Sequence, residues 1–256
     1  MTTFAAYPSL RDRPVVISGG ASGIGEALVR NFAAQGARVG FVDIADEAGE
    51  RLAAELTAAG RTVRFTRCDI TDTSAYQAAI EGFAAVHGDA LVLINNAGHD
   101  QRHDWADATP DYWDDRMAVN LKHYFFAIQA VAPGMIRAGG GAVVNFGSIS
   151  WMVMSPRIPI YETAKAAIHG LTRAMARELG KSGVRVNTIA PGWVMTERQL
   201  THWLDAEGER QLDESQALAG RVMPDDVARM ALFLAADDSA MISAQQFLVD
   251  GGWAHT

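Results

Sequence analysis

The chain has 256 residues, 49% hydrophobic and 20% charged, which suits one compact unit burying roughly 70–75% of its unfolded surface and excludes a disordered or fibrous chain. Thirty acidic against 22 basic side chains leave a net charge of −8, which repels a nucleic-acid backbone. The single cysteine, Cys68, excludes an intrachain disulfide and any cysteine-paired metal site. Residues 1–13 lack the basic start and apolar centre of a secretion signal, and no run of about 18 apolar residues occurs. A cytoplasmic protein is the expectation.

In chain order, seven Val- and Ile-rich runs predict strands at 14–18, 38–42, 62–66, 90–95, 141–147, 184–189 and 245–249. Amphipathic stretches between them predict helices at 23–35, 46–59, 73–87, 110–138, 160–180 and 224–236. The 160–180 helix is the clearest: Ala164, Ala167, Ile168, Leu171, Met175 and Leu179 recur at three and four residues. Gly180 stands where a C′ glycine belongs. Strictly alternating strands and helices predict an α/β fold, a doubly wound, Rossmann-type parallel sheet of seven strands with helices on both faces. No linker divides the chain, so residues 1–256 are expected to form one dinucleotide-binding catalytic domain. The stretch at about 191–222 is too long for an ordinary connection and is expected to be a substrate or lid insertion.

After the first strand comes Ser18-Gly19-Gly20-Ala21-Ser22-Gly23-Ile24-Gly25, running into a helix. Glycines there let backbone approach a pyrophosphate, and the helix offers free N–H groups and its positive dipole end. The G-x-G-x-x-G spacing fails, because position 28 is Leu28; the spacing present is G-x-x-x-G-x-G. A plain tight turn would also use these glycines. Asp43 ends the second strand 18 residues later, where a carboxylate can bind an adenosine ribose. It could equally cap the next helix, and the two roles can coexist. Ile44, Ala45, Asp46 and Glu47 bring no cation for a 2′-phosphate, so NAD is expected over NADP.

Tyr161 and Lys165 lie four apart on one predicted helix face. Only three lysines stand against nineteen arginines, which singles out Lys165. A phenol titrates near about 10, and a general base at neutral pH needs it lowered by roughly 3 units, or about 4 kcal/mol. One cation at about 4 Å supplies a few kcal/mol at intermediate dielectric. Alone, the pair would equally be a surface tyrosine and a solvated lysine. Ser148, however, follows the fifth strand, Asn95-Asn96-Ala97-Gly98 ends the fourth, and Asn120 lies in the following helix. All these strand ends are where open α/β sheets bind ligands.

Together these residues resemble the short-chain dehydrogenase/reductase family over essentially the whole chain. Its T-G-x-x-x-G-x-G turn is matched at 18–25 with Ser18 for threonine, its N-N-A-G at 95–98, and its Y-x-x-x-K at 161–165. The resemblance implies a catalytic tetrad of Asn120, Ser148, Tyr161 and Lys165. Tyr161 would take the substrate hydroxyl proton as hydride leaves for the nicotinamide. Ser148 would bond the reacting oxygen, Lys165 would bind the nicotinamide ribose and lower the tyrosine pKa, and Asn120 would hold a relay water. It further implies cofactor contacts from Gly19, Ser22, Gly23, Ile24, Gly25 and Asp43; from Asp69 and Ile70 beside the adenine; and from Asn96, Ala97 and Gly98. Pro191, Gly192, Val194 and Thr196 complete that set, Thr196 at the carboxamide.

Within the family the chain resembles bacterial sugar 1-dehydrogenases. The implied reaction is NAD-dependent oxidation of a free aldose such as D-xylose, L-arabinose, D-galactose or L-fucose to the lactone. Ser148, Ser150, Tyr161 and Trp193 are the expected substrate contacts, with Asp100, Arg102, Trp151, Arg157 and Gln199 as further pocket candidates and Met152, Met154 and Met195 as apolar wall. An NAD-dependent dehydrogenase of a polyol, steroid-like or 3-hydroxyacyl alcohol, or an NAD-sensing protein without turnover, are the alternatives. His99 and His103 are four apart, but nothing completes a zinc pattern and no metal is expected. Residues 248–253 resemble the family's tail at a subunit contact, implying a homotetramer.

Overall fold

The computed structural model of the chain describes residues 4–254. The expectations for 1–13 and for the full 1–256 extent fall partly on residues 1–3 and 255–256, which lie outside that range. Seven strands, β1 (Pro14–Ser18), β2 (Arg38–Asp43), β3 (Val63–Arg67), β4 (Val92–Asn95), β5 (Gly141–Phe146), β6 (Val184–Pro191) and β7 (Gln246–Val249), form one sheet. Every pairing is parallel, in the order β3-β2-β1-β4-β5-β6-β7. The order reverses between β1 and β4, so a crevice opens beyond their carboxyl ends.

The strand period of two sorts the apolar runs into two cores. From β1, Val15 and Ile17 join Leu28 and Phe32 of α1 (Gly23–Ala34) on one face. Val16 joins the other face, with Tyr76 and Phe83 of α3 (Thr73–His87). β4 repeats the division, Val92 and Ile94 against Leu93. α2 (Asp46–Ala58) lies on the first face, through Leu52 and Leu56. Being covered on both sides is why these strands are continuously apolar rather than alternating.

The predicted 110–138 helix is interrupted. α4 (Pro110–Met117) passes through a π-helical turn, Ala118–Lys122, into α5 (His123–Arg137). The apolar period carries no mark of the extra residue, since a π turn changes hydrogen bonding without breaking the helix. A short α6 (Ser150–Val153), which no apolar period announced, precedes α7 (Pro159–Leu179), whose first residue is a proline that needs no N–H there. Gly180 is not the left-handed cap. It keeps a helical φ of −61° and starts a 3₁₀ turn, while Gly183 takes φ +80°. The 191–222 stretch is partly helical, with α8 (Glu197–His202) and α9 (Ala206–Ser215), each capped by a side chain, Thr196 and Asp205. α10 (Pro224–Ala235) returns to the first face.

Candidate active site

A cavity of about 1420 Å³ opens over the carboxyl ends of the strands. Its first half is built almost entirely from backbone. Gly19 has φ +66°, and a Cβ there would come within 2.9 Å of the Ala97 Cα, so the first turn and the 95–98 turn touch. At Gly25 a Cβ would meet the Gly19 carbonyl oxygen at 1.7 Å. The Ser18 hydroxyl accepts from the Asn96 and Ala97 N–H groups (3.1 and 3.2 Å), and the Asn96 amide donates to the Ser18 and Gly19 carbonyls. Ser22, at the N-cap of α1, makes no side-chain cap bond, so the first amides of that helix have no protein partner there. Ser22, Gly23 and Ile24 line the cavity with Gly19 and Gly25.

Asp43 also lines it. One carboxylate oxygen accepts from the Ala21 N–H and the other from the Ala45 N–H, both at 3.0 Å. The carboxylate thus ties the first turn to the end of β2 rather than capping α2, whose N-cap is Ala45. The sequence showed no cation near Asp43, but Arg67 of β3 stands beside it in register. Arg67 is exposed and absent from the cavity wall. Asp69 and Ile70 line the same end, Asn96, Ala97 and Gly98 the floor, and Pro191, Gly192, Val194 and Thr196 the opposite side.

Ser148, Ser150, Tyr161, Lys165 and Trp193 come together in the same cavity. Burial raises the Tyr161 phenol above its ordinary value and the Asp100 carboxylate adds to the rise, while Ser148 and the Arg198 charge oppose it by favouring the phenolate. Lys165 stands one turn further along the same helix. Its Nζ lies 5.5 Å from the Tyr161 ring centre and donates to the Phe146 carbonyl (2.8 Å) and the Tyr124 hydroxyl (3.1 Å). Burial lowers the ammonium itself to about 7.

Asn120 holds a different place. It is fully buried on the π turn and does not line the cavity. Its carbonyl oxygen accepts from the His99 N–H at 2.7 Å, and its amide donates to the His99 and Arg116 carbonyls. With the side chain so occupied, it clamps the loop after β4.

The second half of the cavity is side chain. Trp193 Nε1 donates to Gln199 Oε1 (2.9 Å), whose Nε2 donates to Asp100 (3.0 Å). The other Asp100 oxygen pairs with Arg198 at 3.0 Å. The 191–222 stretch is thereby tied to the loop after β4. Arg102 lines the pocket and stacks on Trp203, 4.1 Å from the ring centre. Met195 forms wall, but Trp151, Arg157, Met152 and Met154 do not reach the cavity: Arg157 is exposed at φ +67°, Met152 packs against a small core, and Met154 is exposed. Trp253 lines the cavity, as do Trp203 and His99. A tryptophan just after the last strand was a readable signal for this. Tyr124, the partner of Lys165, carried no such signal. Among the described residues no group of three or more His, Cys, Asp or Glu could hold a metal, and no helix is long and apolar enough to cross a membrane.

Residues 19–254 match the family model described as enoyl-(acyl carrier protein) reductase. The fold, the glycine turn and the Tyr-x-x-x-Lys helix are those of a nicotinamide-type oxidoreductase, and the chain belongs to the short-chain dehydrogenase/reductase family. It is 50% identical over 249 residues to a D-xylose 1-dehydrogenase of Caulobacter vibrioides (97% of this chain, 98% of the relative). It is 46% identical over 247 residues to a probable galactose dehydrogenase of Rhizobium meliloti (96% of each). Among solved structures, a metagenomic blue fluorescent protein in complex with NADPH superposes with a TM-score of 0.90 at 30% identity, covering 96% of this chain and all of that one. A 7α-hydroxysteroid dehydrogenase complexed with NADH and a bile acid superposes at 0.91 and 29% identity, covering 97% and 98%.

Proposed function

We propose that the protein oxidises a free aldose at C1 to the aldonolactone, with NAD as hydride acceptor. One observation carries the reading: the Tyr161–Ser148 pair sits where a backbone-lined groove meets a pocket of tryptophans and polar side chains. The resemblance in sequence to the xylose and galactose enzymes supports the substrate class. A pocket with Trp193 and Trp253 beside Gln199, Asp100 and Ser150 suits a sugar, whose C–H faces meet rings and whose hydroxyls meet polar groups.

The residues fit a dinucleotide. The amides at the start of α1 would hold its pyrophosphate, Asp43 its adenosine ribose, Lys165 its nicotinamide ribose and Thr196 its carboxamide. NAD, when bound, supplies the hydride acceptor and a positive charge beside the phenol. Tyr161 then takes the C1 hydroxyl proton while Ser148 donates to the reacting oxygen, holding it as it becomes a carbonyl. Asn120 positions the His99 backbone rather than touching the substrate. Asp43, with Asp46 and Glu47 following, disfavours a 2′-phosphate. The tied 191–222 stretch serves as the lid of a single catalytic unit, and a cytoplasmic homotetramer is the form we assign it by family resemblance.

Initial rates of NAD and NADP reduction, followed at 340 nm over a panel of aldoses, polyols and hydroxysteroids, test the reading. We expect aldoses with NAD to give the highest kcat/KM and a lactone as product. A panel on which a steroid or polyol outruns every aldose would replace the substrate class, and faster reduction of NADP would replace the coenzyme and bring Arg67 forward.

A further inference from the structure

Lys165 needs a seat. It reaches the cavity wall from α7 on a four-carbon stem with free rotation at each bond, and its ammonium can donate three hydrogen bonds. Two are made to buried partners, the Phe146 carbonyl at 2.8 Å and the Tyr124 hydroxyl at 3.1 Å. The third proton is left for the cavity that Lys165 lines. Tyr124 is wholly buried on α5, and its hydroxyl lies 3.1 Å from the Phe146 carbonyl and 3.3 Å from that of Ala97. The phenol proton goes to one of these carbonyls while the oxygen accepts from Lys165. His123 beside it, also buried, reaches the same Ala97 carbonyl through Nε2 at 3.2 Å. A Cβ at Gly98 would come within 3.1 Å of Nζ, so bare backbone closes the remaining side.

We propose that Tyr124 is a positioning residue of the reaction: its hydroxyl, braced on the ends of β4 and β5, fixes the Lys165 ammonium at the cavity wall. The inference rests on the dehydrogenase reading above but not on the identity of the alcohol. With phenylalanine at 124 the core volume is kept, the ammonium has one fixed bond left, and it swings about the Phe146 carbonyl. Losing an acceptor also favours the neutral amine. The other ionisable groups around the ammonium are Tyr161 on α7, Asp100 after β4, His123 on α5, and, behind Tyr124, Tyr76 on α3.

With only three lysines, and Lys122 and Lys181 exposed, the Nζ signals of the full chain are separable by ¹⁵N NMR at pH 6, assigned with Lys122→Arg and Lys181→Arg. In the parent, Lys165 should exchange its amine protons at least about tenfold more slowly than the other two, and in Tyr124→Phe that protection should be lost. The same variant should lose about tenfold in kcat with a less than about twofold change in KM, and the alkaline limb of its kcat profile should move down by about one pH unit. A Lys165 amine that exchanges like those of Lys122 and Lys181 in the parent overturns the proposal, even if the variant does not fold. So does a Tyr124→Phe enzyme with parental kcat and pH profile and only a lower melting temperature, the result of mere core filling. The NMR comparison needs no substrate. A panel without aldose oxidation would therefore sink the proposed substrate and leave Tyr124 to be decided separately.

Discussion

The two halves of the cavity are held together by different means. Around the first turn, backbone meets backbone: Gly19 against Ala97, Gly25 against Gly19, Asn96 donating to the Ser18 and Gly19 carbonyls. Around the 191–222 stretch, side chain meets side chain, with Asp100 bonded to Gln199 and Arg198, and Gln199 to Trp193. Backbone contacts of this closeness exclude side chains and so demand particular residues at particular spacings. Side-chain ties leave many solutions open. On the proposed function, the first half would serve any substrate of one coenzyme, whereas the second would tell one alcohol from another.

The largest expected effect lies where the halves meet. Tyr161→Phe should lower turnover by at least about a thousandfold while NADH still binds, measured by steady-state rates and by NADH fluorescence. Rates within tenfold of the parent would remove the phenol as base. Gly25→Ala should come next. With its Cβ forced against the Gly19 carbonyl, coenzyme affinity should weaken by at least about tenfold, and binding as tight as in the parent would show that the backbone half tolerates what its geometry forbids.

Asp100→Ala tests the other half. It frees Gln199 and Arg198 together, and KM for the aldose should rise about tenfold, with NADH affinity within about twofold. Equal losses in both affinities would erase the division between the halves. The smallest effect concerns pH. Burial, helped by the Lys165 charge, lowers His123 to about 3, so the unfolded chain takes up its proton first, near pH 6.5. Stability is then lost as pH falls from about 6.5 towards 3. The parent's melting temperature should accordingly drop more steeply between pH 6 and 4.5 than that of His123→Gln; parallel curves would mean that His123 is not held neutral.

The same contrast decided what could be read from the sequence. The strands were legible because burial on both faces makes them continuously apolar, and the first turn because its contacts impose local spacing. The Asp100–Gln199 bond joins residues 99 apart, a separation at which no spacing rule operates. Tyr124 looked like any core aromatic, and its hydroxyl acquires meaning only once α5 and α7 are packed. Trp151 and Arg157 have the aromatic and polar character a sugar pocket needs, yet a short helix and a left-handed residue carry them away from it. Asn120 falls within a helical stretch of the sequence, but its helical frame is not legible there, because composition does not record a π turn.

That turn has a consequence for any attempt to shorten the enzyme. A helix advances by about 100° per residue, so the widened turn at Ala118–Lys122 puts α4 and α5 out of phase by one step. Removing a single residue there would heal the helix into a regular spiral. The same deletion would swing either Arg116 and its neighbours or the pair His123 and Tyr124 a quarter-turn off their bearings, trading a smoother rod for a misaligned machine.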